Sequence, residues 1–452
     1  MPISYKQYDE QYRLPEQEKD EKLIMSHRHH ALCYEPGKGK SYPAIQCILN
    51  VNQLKNGKAK VLIMSDATCI RDMWKAEIMP QGILPKETYF VTDRTAIGQI
   101  KEALVNTKWD MIVIDECQSL RSGVTRAKSK FAKLVYQLTK NCPYVVGMTG
   151  TLAGNNDIEP FCVLHNLHIA GCGDINCHKF KALYCEQELQ YGPFGAFKKP
   201  VRLNEAGRKF MEIAYSKGCS FWDYDDDDNM PELDIEYIKF NVPITKTYQD
   251  ALEGIIQCNE YESTVMKSIA MQKAQQALNG FIYYNNDEMN RMTYQVPEFD
   301  NPKLKWVTEQ CKDHNCIVAY RFQEDGYYIT KTLNENGIKT TSDISEFKRR
   351  AANEKINLVI QCSRGKAANL QMCQHIIYYT CDFSFIYYKQ MIHRTWRRGQ
   401  EKPCRLSFLC NEPTINENGE IVKDKNHVEE KIWTALKNKQ TIHDALMSIK
   451  NS

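Results

Sequence analysis

The chain has 452 residues, 42% hydrophobic, 25% charged and 10% aromatic, with 59 basic against 56 acidic side chains. That composition excludes a disordered, fibrous or membrane-embedded chain, and the length suits two or three globular domains of about 150 residues each. A formal charge of +3 excludes an overall cationic coat for nucleic acid while leaving local basic strips open.

Taken in chain order, residues Met1 to Gln7 mix charge and polarity and show no signal-like apolar stretch. No later run approaches the ~18 apolar residues of a membrane span, so the expectation is a cytoplasmic protein with no membrane partner. Short continuous apolar runs follow: Val61 to Met64, Met111 to Ile114 and Tyr144 to Met148 early, then Ile317 to Tyr320, Leu358 to Ile360 and His375 to Tyr379. Continuous rather than alternating hydrophobicity predicts strands buried on both faces of parallel sheets. Helix-like stretches such as Thr68 to Glu77 and Ala127 to Leu138 separate them, which is the α/β pattern.

The middle, from Ile158 to Asn290, reads as mostly helical. The acidic run Asp223 to Asp228 interrupts it as a solvated loop, because adjacent carboxylates repel and no His or Cys accompanies them. Leu233 to Val242 alternates and predicts a strand, so the boundary falls there: an N-terminal lobe over 1–229 with a helical extension, and a C-terminal lobe over 230–452 with a helical insertion. Val428, Ile432 and Leu436, then Ile442, Leu446 and Ile449, predict a closing amphipathic helix.

The 18 cysteines are scattered, often inside apolar runs, and are expected to be reduced thiols acting as small buried hydrophobes. His165, His168, Cys172, Cys177, His178 and Cys185 have metal-ligand chemistry but no CxxC pair. Ordinary helix and loop residues are the simpler reading, and zinc is the alternative.

Two motifs carry chemistry. Glu35-Pro36-Gly37-Lys38-Gly39-Lys40-Ser41 precedes a helix-like segment. Glycines let backbone N–H groups wrap phosphate oxygens at a helix N-terminus; Lys40 would neutralise phosphate charge and Ser41 would ligand Mg²⁺. Tyr34 stands where the general pattern has its first glycine. Val113-Ile114-Asp115-Glu116-Cys117-Gln118 is an apolar strand ending in two acids. Asp115 would hold Mg²⁺, and Glu116 would orient and polarise the attacking water.

Together with Thr149-Gly150-Thr151 and Gln390-Met391-Ile392-His393-Arg394-Thr395-Trp396-Arg397-Arg398-Gly399-Gln400, these segments resemble, in order, the motifs of superfamily two helicases. The last segment is similar to the QxxxRxxRxGQ signature of the Swi/Snf-like DNA translocases, and the short chain resembles their small bacteriophage members. The resemblance runs from Gln17 to Gln400. It implies an α/β fold of two RecA-like lobes, each a mostly parallel sheet flanked by helices, with a helical insertion between the motif-bearing regions. It also implies ATP and Mg²⁺ as cofactors and DNA, duplex by preference, as partner.

Residue by residue, Gln17 resembles the adenine-reading glutamine, and Arg394 and Arg397 resemble the motif VI arginines that reach the ATP phosphates. A guanidinium fork, unlike an ammonium, can neutralise charge spread over phosphate oxygens. Gln390 would sense nucleotide, alongside Gly37, Lys38, Gly39, Lys40 and Ser41. Thr149 and Thr151 resemble motif III, Arg321 motif IV, and Ser363 with Asn369 motif V, all as DNA contacts. Arg121, Arg126, Lys128, Lys130 and Lys133, and Lys348 to Arg350, are basic stretches that suit phosphate binding or simple solvation. Trp74 and Trp396 suit buried packing better than base stacking.

Other readings stay open. One is a strand-separating helicase on forked DNA or RNA, although no wedge hairpin is evident outside the Ser216 to Pro231 region. Another is an ATP-gated DNA-binding module that recruits a nuclease or a replication or recombination protein. A phosphotransferase is the third, and it would not need Arg394 and Arg397.

Overall fold

The structure is a computed structural model. It describes residues 14–448 apart from 99, 126, 154–155, 193–194, 224–229, 259–260, 286–289, 298, 365–369, 383, 398, 417 and 423–426. The chain divides into two compact units: residues 1–228 with 439–452, and residues 229–438.

In the first unit, β1 (His29–Tyr34), β2 (Lys60–Ser65), β3 (Glu87–Thr92), β4 (Met111–Asp115), β5 (Tyr144–Thr149) and β8 (Cys219–Trp222) form one sheet in the order β3-β2-β4-β5-β1-β8. All its pairings are parallel. Successive residues of the apolar runs face opposite sides. Leu62, Met64, Ile112 and Ile114 pack into one core, and Val61, Ile63, Met111 and Val113 into the other. Both faces are covered, which is why these strands read as continuous rather than alternating. Each fully buried side chain of this kind contributes about 1.5–3 kcal/mol. Crossover helices include Ser41–Leu54 after β1 and Lys130–Thr139 before β5, the latter capped by Ser129, whose side chain accepts from the Ala132 N–H. Since β4, β5 and β1 are neighbours, the segments that follow Asp115, Thr149 and Tyr34 leave the sheet side by side at its C-terminal edge, where α/β sheets bind ligands.

The second unit repeats the plan. β9 (Leu233–Pro243), β14 (Cys316–Tyr320), β15 (Thr340–Thr341), β16 (Asn357–Gln361), β17 (His375–Tyr378) and β18 (Cys404–Ile415) pair in parallel in the order β15-β16-β14-β17-β18-β9. Ile329 and Leu333 of the helix Gln323–Glu335, which follows β14, pack with Val318 and Ile377 on one face. Met391 and Ile392, which follow β17, pack with Ile317 and Ile376 on the other. Neighbouring strands therefore send their connections to opposite faces.

The seven predicted strands, Leu233 to Val242 among them, and the closing helix (Val428–Ser448) are present, Ile449 lying outside the described residues, and the sheets are those of two parallel-sheet α/β lobes. Residues 68–77 are helical but run mostly as a π-helix, Ile70–Ile78. The middle differs from expectation. Beside its helices it carries three two-stranded ribbons among the described residues: β6 (Cys185–Gly192) with β7 (Gly195–Leu203), β10 (Ile255–Cys258) with β11 (Tyr261–Thr264), and β12 (Phe281–Asn285) with β13 (Arg291–Gln295). Such ribbons are set by cross-strand pairing; β12 does carry an apolar run, Phe281 to Tyr284, whereas β6 and β11 carry none. Most of the acidic run lies outside the described residues.

All 18 cysteines are free, and all but Cys177, Cys219 and Cys381 are buried. Among the described residues no helix is long and apolar enough to cross a membrane.

Candidate active site

Beyond β1 the chain makes a tight loop. The Glu35 N–H donates to the Trp222 carbonyl of β8 at 2.9 Å, and Gly37 and Gly39 take φ values of 92° and 71°. Positive φ favours glycine, so both glycines are conformational requirements. The Tyr42 N–H donates to the Gly39 carbonyl at 3.0 Å, and Ser41 opens the following helix. The dipole of that helix favours negative charge at this end. Tyr34 replaces the expected glycine by pointing inward: its buried ring meets Trp222 edge-on at 5.4 Å, and its hydroxyl donates to Asp20. Lys38 is buried over the Trp222 ring, 4.7 Å from the centroid.

Gln17 lies in the helix Pro15–His27, fully buried rather than on a polar surface. Its Nε2 donates to the Gly39 carbonyl at 3.3 Å, and its Oε1 accepts from the Leu14 N–H at 3.1 Å. The structure thus ties the expected adenine reader to the Gly37–Ser41 loop. Ser41 Oγ rests against Met73 Sδ at 3.6 Å, a weak acceptor that a better partner can replace.

β4 delivers Asp115 to the same edge. Its Oδ2 accepts from Trp74 Nε1 at 3.3 Å and from Ser65 Oγ at 3.4 Å, and its Oδ1 accepts from the Glu116 N–H at 3.0 Å. Burial and then the adjacent Glu116 push its carboxyl up to about 7, against the opposing pull of Lys40 and Trp74. Glu116 sits at φ 53°, a left-handed conformation. For a non-glycine residue such backbone is costly and concentrates at functional sites. Gln118 Nε2 donates to Glu116 Oε2 at 2.5 Å, Thr149 Oγ1 donates to Gln118 Oε1 at 2.7 Å, and the Thr151 N–H donates to Thr149 Oγ1 at 2.9 Å. Thr149 and Thr151 are buried inner links of this relay. Gly150 lies against the loop that follows β1: a Cβ there would meet Pro36 Cγ at 2.9 Å.

Trp74 and Gln118 bond the two acids, contacts that the sequence did not suggest, since it pointed to packing for Trp74 and gave Gln118 no role. Gln118 stands inside the quoted acidic motif. Trp74 reaches Asp115 only through tertiary packing, and its place on a π-helix, a form frequent at functional sites, appears only in the structure.

The second unit holds the remaining candidates. Gln390 is buried in the helix Phe385–Ile392, and Arg394 is buried in the turn that follows. That turn is fixed by backbone: the Leu370 N–H donates to the Arg394 carbonyl at 2.9 Å, and the Gln400 N–H to the Arg397 carbonyl at 3.0 Å. Trp396 Nε1 donates to the Pro231 carbonyl at 2.7 Å, and its ring stacks on His393. Arg321 is engaged within its own unit, Nη1 with Gln275 Oε1 at 2.7 Å and Nε with Asp382 Oδ2 at 3.4 Å. Ser363 lies in a short 3₁₀ turn after β16. Asn369 and Arg126 lie outside the described residues. Arg350 bonds Glu346 and Glu354, and Lys128 bonds His165 Nε2 at 3.0 Å over the Tyr136 ring.

His165 therefore has both ring nitrogens occupied, its Nδ1 bonding the Cys172 carbonyl at 3.0 Å. His168 Nε2 bonds the Tyr136 carbonyl at 3.0 Å. The one His/Cys/acid group whose ligand atoms converge among the described residues is elsewhere, at Cys410, Glu412 and His427. There His427 Nδ1 accepts the Glu430 N–H, so its Nε2 carries the proton and faces Glu412 at 3.3 Å, while Lys239 pairs with Glu412. That tautomer leaves no lone pair for a metal.

No family model matches the chain. Its sequence is 21% identical over 443 residues to a Bacillus subtilis (strain 168) protein named "Uncharacterized ATP-dependent helicase YqhH", covering 89% of this chain and 75% of that protein. Among solved structures it is similar to the Sulfolobus solfataricus SWI2/SNF2 ATPase core in complex with dsDNA, with 15% identity, TM-score 0.39, and coverage of 97% of this chain and 94% of that one. It is also similar to the Pyrococcus furiosus Hef helicase domain, with 12% identity, TM-score 0.48, and coverage of 95% and 99%.

Proposed function

We propose that the chain is an ATP-driven motor that hydrolyses ATP and moves along duplex DNA, its lobes dividing near residues 229 and 230. The observation that carries the reading is the grouping at one sheet edge. Three adjacent strand ends present the Gly37–Ser41 loop, the Asp115–Glu116 acids and the Thr149–Thr151 turn, and Gln17 is bonded to the same loop. Similarity to a protein named an ATP-dependent helicase, over most of the chain, supports it.

The donor set suits Mg²⁺, a hard cation that takes oxygen ligands. Ser41 Oγ and the Asp115 carboxylate would hold it, and when bound it supplies charge neutralisation on the phosphates. Asp115, pushed up to about 7 by burial, is a carboxyl with much to gain from a cation beside it. Lys40 and the loop amides hold the phosphates, and Glu116, steadied by Gln118, orients the water and takes its proton. Arg394 and Arg397 are the guanidinium groups of this reading. Gripping a DNA backbone without reading bases is what a motor stepping past every sequence requires.

The test is steady-state ATP hydrolysis with no nucleic acid, duplex DNA, single-stranded DNA or RNA, with Glu116→Gln as the blank. Strong stimulation by duplex DNA followed by triplex displacement is the expected result. Equal turnover under all four conditions would overturn the motor reading. A strand-separating helicase is the second reading, favoured by the β6–β7 ribbon, which exposes Leu189 and Phe197. Preference for forked or single-stranded substrates, with strand displacement lost in Phe197→Ser, would select it.

Trp74→Phe keeps the ring in the core but removes the donor to Asp115. A hydrogen bond to a charged group contributes about 1.5–3 kcal/mol, so the Mg²⁺ concentration for half-maximal turnover should rise by about tenfold or more. The acidic limb of the pH–rate profile should move to higher pH, because the lost bond favoured the ionised carboxylate. An unchanged Mg²⁺ requirement would reduce Trp74 to packing.

A further inference from the structure

The helix Pro15–His27 packs on β1 and on the helix Ser41–Leu54, yet apolar burial gives it little hold. Its buried residues are Gln17, Asp20 and Ile24, which share one face, and only Ile24 is apolar. Apolar contact is non-directional, so the register of the helix has to come from polar bonds. One lies at its rim, where Asn50 Nδ2 donates to Glu21 Oε1 at 2.7 Å.

The buried bonds converge on Asp20, which is 6% exposed. Ser220 Oγ, from β8, donates to its Oδ1 at 2.6 Å, and the Tyr34 hydroxyl, from the end of β1, donates to its Oδ2. Ser220 spends its one proton on Asp20, so it accepts from His30 Nε2 of β1 at 2.8 Å. Burial and then His27 push His30 down to about 3, so the ring is neutral and carries its proton on Nε2. Two hydroxyls donating to one buried carboxylate are charge-assisted bonds, the stronger kind. They lock the helix to two strands of the sheet.

Gln17, on the same face, completes the path. Its Nε2 donates to the Gly39 carbonyl at 3.3 Å and lies 3.5 Å from the Lys38 carbonyl. The helix therefore grips the turn on both sides: Asp20 holds Tyr34, before it, and Gln17 holds Gly39, within it. Gly37 and Gly39 adopt positive φ, which glycine populates about as readily as negative φ. A bond from outside the loop narrows that choice.

We propose that Asp20 is the positioning residue of the Gly37–Ser41 loop: it anchors the helix on β1 and β8, and through Gln17 the helix holds the loop in its phosphate-binding shape. Asp20 itself touches no reacting group. The inference rests on the reading of this loop as the ATP site. A hydrogen bond to a charged group is strong enough to move a docking equilibrium by about tenfold or more, and affinity falls with the fraction still docked.

The test is isothermal titration calorimetry of the full chain in Mg²⁺ with two probes, a non-hydrolysable ATP analogue and inorganic tripolyphosphate, which has no base. Asp20→Asn should weaken both to a similar degree, by about threefold or more. Tyr34→Phe keeps the ring against Trp222 and removes only the hydroxyl. It should weaken both probes in smaller measure, and it takes the place of Asp20→Asn should that variant fail to fold by circular dichroism. The deciding readout is a double-mutant cycle. In a Gln17→Met background, where the bond to Gly39 is already gone, the Asp20 or Tyr34 substitution should cost no further affinity beyond about twofold. A merely structural role would add in full. Undiminished affinity in both variants, or additive losses in the cycle, would overturn the proposal. A loss confined to the ATP analogue would place the action of the helix on the base and overturn the route through the loop. A parent chain that binds neither probe would overturn the ATP reading, and the proposal with it.

Discussion

Glu116→Gln is expected to bind ATP as the parent chain does and to hydrolyse it about a hundredfold to ten-thousandfold more slowly, the range a positioned general base contributes. The substitution preserves shape and removes only basicity. Gln118 Nε2, now 2.5 Å from Glu116 Oε2, would still meet an oxygen acceptor. The left-handed backbone at φ 53° also remains, because any non-glycine residue there carries the same strain. A fluorescent nucleotide titration beside a single-turnover assay separates the two effects. Lys40→Ala supplies the contrast, since losing the ammonium should weaken binding itself. If Glu116→Gln retains turnover within about threefold, well short of a general base's contribution, the water-orienting role belongs to another residue and the relay through Gln118 and Thr149 is structural.

The sequence carried much of this geometry because its key residues sit on elements with strong local signatures. β4 is a continuous apolar run that stops at Asp115, and the glycine-lysine loop announces itself by residues whose φ values are in fact positive at Gly37 and Gly39. β1 was less visible: His29 and His30 open it and break the apolar run, although the strand sits centrally between β5 and β8. The ribbons were hidden for another reason. β6 offers only Cys185, Leu189 and Tyr191 among polar residues, and Gln187 breaks their alternation, so no strand pattern marks it. Long-range partners leave no local trace. Trp74 and Asp115 are 41 residues apart, and Asp20 and Ser220, hydrogen-bonded at 2.6 Å, are 200 apart. The basic stretches show the opposite error. Lys128 and Arg350 look available for phosphate in the sequence, yet one is held by His165 and Tyr136 and the other by Glu346 and Glu354.

Glu429→Gln is expected to destabilise the second unit by about 3–5 kcal/mol, the cost of leaving one partner of a buried ion pair without its counter-charge. Lys303 and Glu429 are 0% and 6% exposed, so water cannot readily replace the lost partner. The pair also gathers elements distant in sequence. Lys303 belongs to the helix Pro302–Asp313 and Glu429 to the closing helix; the Lys303 ammonium bonds the carbonyl of Tyr379 beyond β17, and the Glu429 carboxylate accepts the Asn411 N–H of β18 at 2.6 Å. Lys303→Met should cost a similar amount, because it leaves the carboxylate buried and unpaired. The double variant should cost less than the two single losses added, since neither isolated charge remains. Arg202→Ala provides the reference: its pair with Glu186 is 67% and 40% exposed, a setting where ion pairs contribute about 0–1 kcal/mol. Hydrogen exchange across β14, β17 and β18 for the second-unit variants, and across β6 and β7 for Arg202→Ala, reads each loss in its own unit and avoids assuming that the whole chain unfolds in one step. A loss in Glu429→Gln no larger than in Arg202→Ala would mean that the ammonium gains a solvent path when its partner goes. Additive single losses would mean that each charge is held by its neutral partners, Asn279, the Tyr379 carbonyl and the Asn411 N–H, rather than by the other.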